Sequence, residues 1–452
     1  MLRLSLSRLY MIAALLILVV CMTSLLTFSL AVFIMQLFLA IITIYLLSKK
    51  DYKLVKLYMI IFVVSFVFVF LLYLAYISYY GSPYYIGGSD DLHFENEGRI
   101  IADSGIYNPS KLIQFGVLKR WHNAPFFSLF IAVLIKFSEI FGGYSTFLPR
   151  FMNVYFLLWV CMILEYLLRK YANFSDKKIY ASIAVFALMP NIQYINSHVF
   201  RDTFNLLQMF LTILLFDKVF DKGKTIKKIL YISLLGPLLY MTFYTRKVSI
   251  LFSVVICMLM LANRMRLKSK HVLVLLLLLG TPIIVFSNLS NIINYYIGTY
   301  TNYVLRIAKD GFSRYIFMQP LLPFGMILRA LYALITPFPN FFGLFREPAR
   351  LLYDFVMFFI YIGVIIQILG IPFILKRIFR IDWLSMSFTI WFLAVIATTF
   401  TFRHVIFYYP FLVSVGVDGF LTSRKKTRIY VLFMSLFVGC ALSIIYLLVK
   451  YF

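Results

Sequence analysis

The sequence predicts an all-α fold: a polytopic helical membrane protein with about 13 transmembrane helices and external juxtamembrane helices. Three observations predict it. The chain is 63% hydrophobic and only 13% charged over 452 residues, with a mean hydropathy of +0.93, which leaves too little polar surface to coat a water-soluble globule of this size. Apolar runs long enough to cross roughly 30 Å of hydrocarbon recur from Leu9 to the C-terminus. Lys and Arg gather in short clusters between those runs, so the net charge of +26 reads as a set of topology signals and excludes nucleic acid as a partner.

The clusters fix the expected order of elements. They fall at Arg3/Arg8, Lys49–Lys56, Arg169–Lys178, Lys218–Lys228, Arg264–Lys270, Lys376–Arg380 and Arg424–Arg428, and short basic loops stay in the cytoplasm. Spans at 9–27, 29–48 and 57–79 leave residues 81–124 as a first large external loop, with the N-terminus cytoplasmic. Two apolar runs then precede the cluster at Arg169, and only one of them can cross. The run at 125–141 opens on Pro125 and carries Lys136 and Glu139, so it is assigned to an in-plane or re-entrant helix and 151–168 to the crossing. Spans follow at 179–199, 203–217, 229–245, 248–263 and 272–289. Residues 290–350, rich in Asn, Tyr, Pro and Arg, form a second large external loop with an interfacial apolar piece at 321–337. Spans at 352–375, 383–402, 404–421 and 429–449 complete a single transmembrane domain, 1–452, in the cell membrane. Cys21, Cys161, Cys257 and Cys440 lie inside apolar runs without CxxC spacing and read as small buried hydrophobes.

The passage "GGSDDLHFENEGRIIADSG", 87–105, stands out chemically. Only 17 residues of the chain are acidic, yet Asp90, Asp91, Glu95, Glu97 and Asp103 fall together here. Ser89 as N-cap and the Asp pair favour a helix start at this point. On that helix Asp91 and Glu95, four apart, share a face. Such carboxylates can serve as a general base toward a hydroxyl or ligate a divalent cation; the same pattern also fits ordinary solvated loop charges.

In its order of elements the chain resembles the integral-membrane GT-C glycosyltransferases, in particular the bacterial relatives of protein O-mannosyltransferases and the lipid A aminoarabinose transferase. The residues that carry the resemblance are Asp90-Asp91, Phe94 and "IIADSGIYNP", then "WHNAPFFSLFIAVLIKFSEIFGG" and "LPRFMNVYF" with Pro125, Phe141, Gly142 and Arg150, then "ALMPNIQYINSHVFRDTFNLL" with Pro190, Arg201 and Asp202, and "RHVIFYYPFLVSVGV" with Arg403 and Pro410. It covers residues 80–215 well and the remainder loosely. The chain lacks the His-Pro-Pro segment and the large soluble external domain of the protein mannosyltransferases.

The resemblance implies transfer of a sugar from a polyprenyl-phosphate or -diphosphate carrier to a hydroxyl of a glycan or lipid acceptor, at the outer face of a membrane whose lipids surround the protein. Asp90 or Asp91 is the implied base. Asp202 and Glu95 are candidates for orienting the acceptor or holding a divalent cation (Mg or Mn), although an Arg201–Asp202 pair also suits a hairpin cap. Phosphate is expected among Arg201, Arg246, Lys247, Arg314, Arg346 and Arg403, because guanidinium groups offer bidentate donors to phosphate oxygens; each also suits a snorkelling anchor. A repeat-unit polysaccharide polymerase shares this layout. A lipid-linked-sugar flippase or other transporter is the reading from another class, disfavoured because transporters place ionisable groups near the midplane of broken helices.

Overall fold

The computed structural model describes residues 6–88, 90–119, 122, 124–221, 224–265, 295, 297–299, 301–302, 305, 312–336, 347–380, 382–398 and 402–451. Every regular element among them is a helix. Nine helices among the described residues are long and apolar enough to cross a membrane. The described residues group into two compact units: Met1–Tyr166, Ile183–Ser253 and Phe341–Met357 form the first, and Leu167–Ser182, Val254–Asn340 and Phe358–Phe452 the second.

The first unit opens with α1 (Leu6–Thr27), α2 (Leu30–Leu47) and α3 (Tyr52–Tyr80). Ser29 and Asp51 cap α2 and α3 by accepting the backbone N–H groups of Val32 and Leu54, and Gly81, at φ 71°, ends α3 in the left-handed conformation that a residue without Cβ adopts at least cost. Next come α4 (Asp90–Ser104), α5 (Pro109–Gln114), α6 (Pro125–Glu139) and α7 (Phe147–Tyr171). Proline at the first position of α5 and α6 sits where an N–H has no helical partner. The fifteen residues of α6 give a rod of roughly 22 Å, shorter than the ~30 Å of a hydrocarbon core.

The stretch expected as one span at 179–199 is two helices, α8 (Asp176–Leu188) and α9 (Pro190–Asn196). Met189 between them is extended, at φ −60° and ψ 124°. Pro190 causes the break: it clashes with a helical conformation at the residue before it and has no N–H to continue the ladder. Helices α10 (Arg201–Phe220), α11 (Thr225–Thr245) and α12 (Lys247–Arg264) follow.

The core of this unit is aromatic and centres on α7. Phe62 and Phe66 of α3 meet Tyr155 and Phe151 with ring centroids 4.8–6.2 Å apart, and Phe204 of α10 packs among Phe127, Phe130 and Phe156. Helices α4 and α6 pack closely because Gly98 faces Ile131: a Cβ at Gly98 would lie 2.6 Å from Ile131 Cγ2 and 3.2 Å from Ile135 Cδ1. Gly98→Ala is therefore expected to destabilise the protein by about 1–2 kcal/mol, the overpacking cost exceeding the gain in helix propensity. Thermal unfolding in detergent checks it; an unchanged midpoint would show that α6 gives way freely.

The second unit contains the end of α7 and the start of α8 (Leu167–Ser182), α12 from Val254 onward, α13 (Phe312–Met318), α14 (Met326–Ile335), most of α15 (Leu351–Ile378), α16 (Trp383–Thr398), α17 (Val405–Thr422) and α18 (Lys425–Tyr451). Asp418 of α17 accepts from Lys178 (2.6 Å) and from Arg377, which also donates to Asp382. Arg329, which interrupts the apolar piece expected at 321–337, is buried on α14 and donates to the Ala397 and Phe317 carbonyls at 3.3 and 3.4 Å. Most of the expected loop at 290–350, and the expected span at 272–289, lie outside the described residues.

Apolar faces left bare agree with a lipid environment. Phe433 and Phe437 on α18 and Ile226 and Ile229 on α11 are exposed, with Phe433 at 68%; patches of this extent on long helices are stable where the solvent is hydrocarbon. Cys161 and Cys257 are buried as expected, whereas Cys21 is half-buried and Cys440 exposed, because it lies on the bare face of α18.

Candidate functional site

The acidic passage folds as α4, and its burial is uneven. Asp90 is exposed at the first position of the helix, and Ser89, the expected N-cap, lies outside the described residues. Asp91 is 0% exposed and Glu95 1%, on the face their four-residue spacing predicts. Glu97 is also buried. Carboxylates buried to this degree must be satisfied by donors or cations, and each of the three has its own set.

Asp91 is held from two sides. Its two oxygens accept the Tyr85 N–H at 2.9 and 3.0 Å, and Arg150 Nη2 lies 3.8 Å away. Arg150, fully buried on α7, also donates to the carbonyls of Ser197 (3.4 Å) and Pro83. Burial pushes the Asp91 carboxyl above its ordinary value, against the pull of Arg150 and of the Tyr85 and Leu92 N–H groups. The Tyr85 N–H reaches Asp91 through a 3-10 turn at Tyr85–Gly87 in which Ile86 has φ 47° and ψ 40°. A β-branched residue in the left-handed region is strained by roughly 1–2 kcal/mol. Its side chain is 57% exposed and packs little. Ile86→Gly is expected to raise stability by up to about 1 kcal/mol, the relief exceeding the extra chain entropy that glycine loses on folding. A lower unfolding midpoint would show that the side chain contributes more than the strain costs.

Glu95 accepts the Tyr84 hydroxyl at 2.7 Å and the Tyr144 hydroxyl at 3.0 Å, one on each oxygen. Burial, followed by the neighbouring Glu95 charge, pushes both phenols above their ordinary range, so both remain donors. Glu97 accepts from Ser128 Oγ at 2.6 Å and lies 2.7 Å from His122 Nε2 and 3.0 Å from His93 Nε2.

A polar and aromatic cluster adjoins Asp91 through Tyr85. His198, 0% exposed, meets the Tyr76 hydroxyl at 2.8 Å through Nε2 and the Tyr194 carbonyl at 2.7 Å through Nδ1. Tyr76 and Tyr194 hydroxyls are themselves 2.8 Å apart. The Tyr85 ring lies 5.4 Å from both His198 and Phe200, and Phe200 stacks on His198 at 4.4 Å. Tyr80 and Tyr79 extend the cluster to Tyr353, with centroids 5.6 and 4.8 Å away.

Phe200 directly precedes Arg201 and Asp202, at the start of α10. Asp202 is buried and pairs with Arg246 at 3.1 Å; half-buried Arg201 donates to the Thr245 carbonyl at 3.4 Å. Lys247 is exposed and sits 5.0 Å over the Phe243 ring. Asp90, Asp91, Glu95, Arg201, Asp202, Arg246 and Lys247 thus belong to the first unit, whereas Arg314, exposed on α13, and Arg403, before α17, belong to the second. Arg346 lies outside the described residues. A Mg²⁺ or Mn²⁺ ion at Glu95 or Asp202 would have to displace the tyrosine hydroxyls or compete with Arg246, since such ions take several oxygen ligands.

Sequence reasoning did not assign Arg150, Tyr84, Tyr144 or His198 to the site. One signal was available for His198. The run "NSHVF" places Asn196, Ser197 and His198 inside a stretch assigned to a span, and polar groups there require partners in the protein interior. Comparison with family models, curated proteins and solved structures found no match to this chain.

Proposed function

We propose that this protein is a membrane glycosyltransferase that moves a sugar from a polyprenyl-phosphate or -diphosphate carrier to a hydroxyl acceptor at the outer face of the cell membrane, in surface polysaccharide or glycoconjugate assembly. The observation that carries the reading is Asp91: a carboxylate buried beside a guanidinium, raised in basicity by burial, at the start of a short helix in a membrane protein. A base of this kind accepts a hydroxyl proton more readily than a solvated carboxylate does.

In the proposed reaction the acceptor oxygen attacks the anomeric carbon and its proton passes to Asp91. The bond from that carbon to the carrier's phosphate oxygen breaks, and the phosphate departs with the electron pair. Arg201, Arg246 and Lys247 lie in the same unit as Asp91 and are the cations assigned to the departing phosphate. Asp91 is 0% exposed, so an acceptor hydroxyl reaches it only when a covering segment moves, and the 85–88 turn, whose Tyr85 N–H bonds Asp91, is the segment assigned to move. The strain at Ile86 lowers the cost of that displacement. Glu95, gripped by two tyrosine hydroxyls, is assigned to holding the acceptor side of α4 in shape.

The test is purified protein in vesicles supplied with polyprenyl-phosphate and -diphosphate sugars and with acceptors. A single added sugar per acceptor is the expected product. A ladder of repeat units would assign the protein as a polymerase, and movement of the carrier across the bilayer with no new glycosidic bond would overturn the enzyme reading.

A further inference from the structure

The third buried carboxylate of α4 belongs to a group that the proposed transfer does not use. His93, Glu97 and His122 bring two imidazole nitrogens and a carboxylate oxygen within 4.8 Å of one another. His93 and Glu97 are four apart on α4 and so share a face; His122 arrives from the segment leading into α6. A tetrahedral ion about 2.1 Å from each donor needs donors ~3.4 Å apart. His122 Nε2 lies 2.7 Å from one Glu97 oxygen and His93 Nε2 3.0 Å from the other, and one donor atom from each of the three residues lies within 4.8 Å of the other two, a span that accommodates that spacing.

We infer that His93, Glu97 and His122 form a binding site for a zinc-class divalent transition metal. Two nitrogens and one carboxylate suit zinc, cobalt or nickel, whereas magnesium, calcium and manganese favour all-oxygen sets. The site is built on its inner side: the Glu97 and His122 side chains are 10% and 8% exposed, and Ser128 Oγ on α6 donates to Glu97 at 2.6 Å, the kind of outer hydrogen bond that orients a ligating carboxylate. It is open on its outer side, because the His93 side chain is 61% exposed, leaving a fourth position for water or an incoming ligand. The charge pattern also favours a cation, since α4 carries Asp90, Asp91, Glu95, Glu97 and Asp103 in a chain of net charge +26. One contact opposes binding. His122 Nδ1 accepts the Ala124 N–H at 3.2 Å, which places the ring proton on Nε2, so a metal there shifts the proton to Nδ1 and gives up that bond. It is a long hydrogen bond and its loss is a small cost beside two metal–nitrogen bonds. A bound ion would tie α4 to the segment entering α6.

The experiment uses the full chain, purified in detergent after chelation, with Zn²⁺ in equilibrium dialysis and Co²⁺ followed by its visible absorption. One equivalent of Zn²⁺ is expected, with a Co²⁺ spectrum of four-coordinate intensity and a raised unfolding midpoint on adding Zn²⁺. His93→Ala removes an exposed side chain that the fold does not need, and is expected to weaken Zn²⁺ binding at least tenfold; His122→Ala is expected to weaken it further. Mg²⁺ at the same concentration is expected to leave the Co²⁺ spectrum unchanged. Absence of Zn²⁺ binding, binding that survives both substitutions, or displacement of Co²⁺ by Mg²⁺ overturns the inference. None of these readouts depends on glycosyl transfer.

Discussion

Arg150→Met is expected to destabilise the protein by about 3–5 kcal/mol, the range for removing one partner of a buried ion pair and leaving the other uncompensated. Asp91 and Arg150 side chains are both 0% exposed, so water cannot take the place of the lost guanidinium. Two backbone carbonyls, of Pro83 and Ser197, lose a donor in the same substitution. Asp91 escapes part of the penalty by taking up a proton, which its raised pKa already favours. Combining Arg150→Met with Asp91→Asn removes both charges and is expected to recover part of the loss, because neutral replacement of a whole buried pair costs far less than breaking it. Unfolding midpoints of the two single variants and the double variant measure the coupling. Additive losses would show that the 3.8 Å separation carries no interaction.

Asp91→Asn is expected to lower glycosyl transfer by at least about 100-fold, the low end of what a general base contributes, while the protein inserts at normal levels. The amide has nearly the same shape as the carboxylate, and its oxygen still accepts the Tyr85 N–H that anchors the 85–88 turn. Arg150 keeps its bonds to Ser197 and Pro83. What the amide lacks is basicity. The loss is therefore expected in the rate of the chemical step with little change in donor binding. A fall confined to donor affinity would instead make Asp91 a binding group.

The helical class was legible because burial in lipid leaves a compositional trace: a 63% hydrophobic chain with long apolar runs admits few other solutions. The pairing of Asp91 with Glu95 on one face was legible for a similar reason, since helical periodicity fixes it locally. The choice between Asp90 and Asp91 was not. Adjacent residues on a helix point about 100° apart, and which one turns inward depends on where α7 places Arg150, a contact between residues 59 positions apart in the chain. The tyrosines that hold Glu95 escaped notice because they are two among 33, and composition alone reads them as interfacial anchors. The break at Met189–Pro190 was announced by its proline, yet the apolar character of both halves outweighed that signal.

The most direct measurement is the rate of sugar transfer by Asp90→Asn and Asp91→Asn proteins, side by side in the same vesicles with the same carrier-linked donor. With Asp91 as the base, the exposed Asp90 variant is expected to retain nearly all activity and the buried Asp91 variant to lose at least about 100-fold. Full activity in both would contradict that assignment.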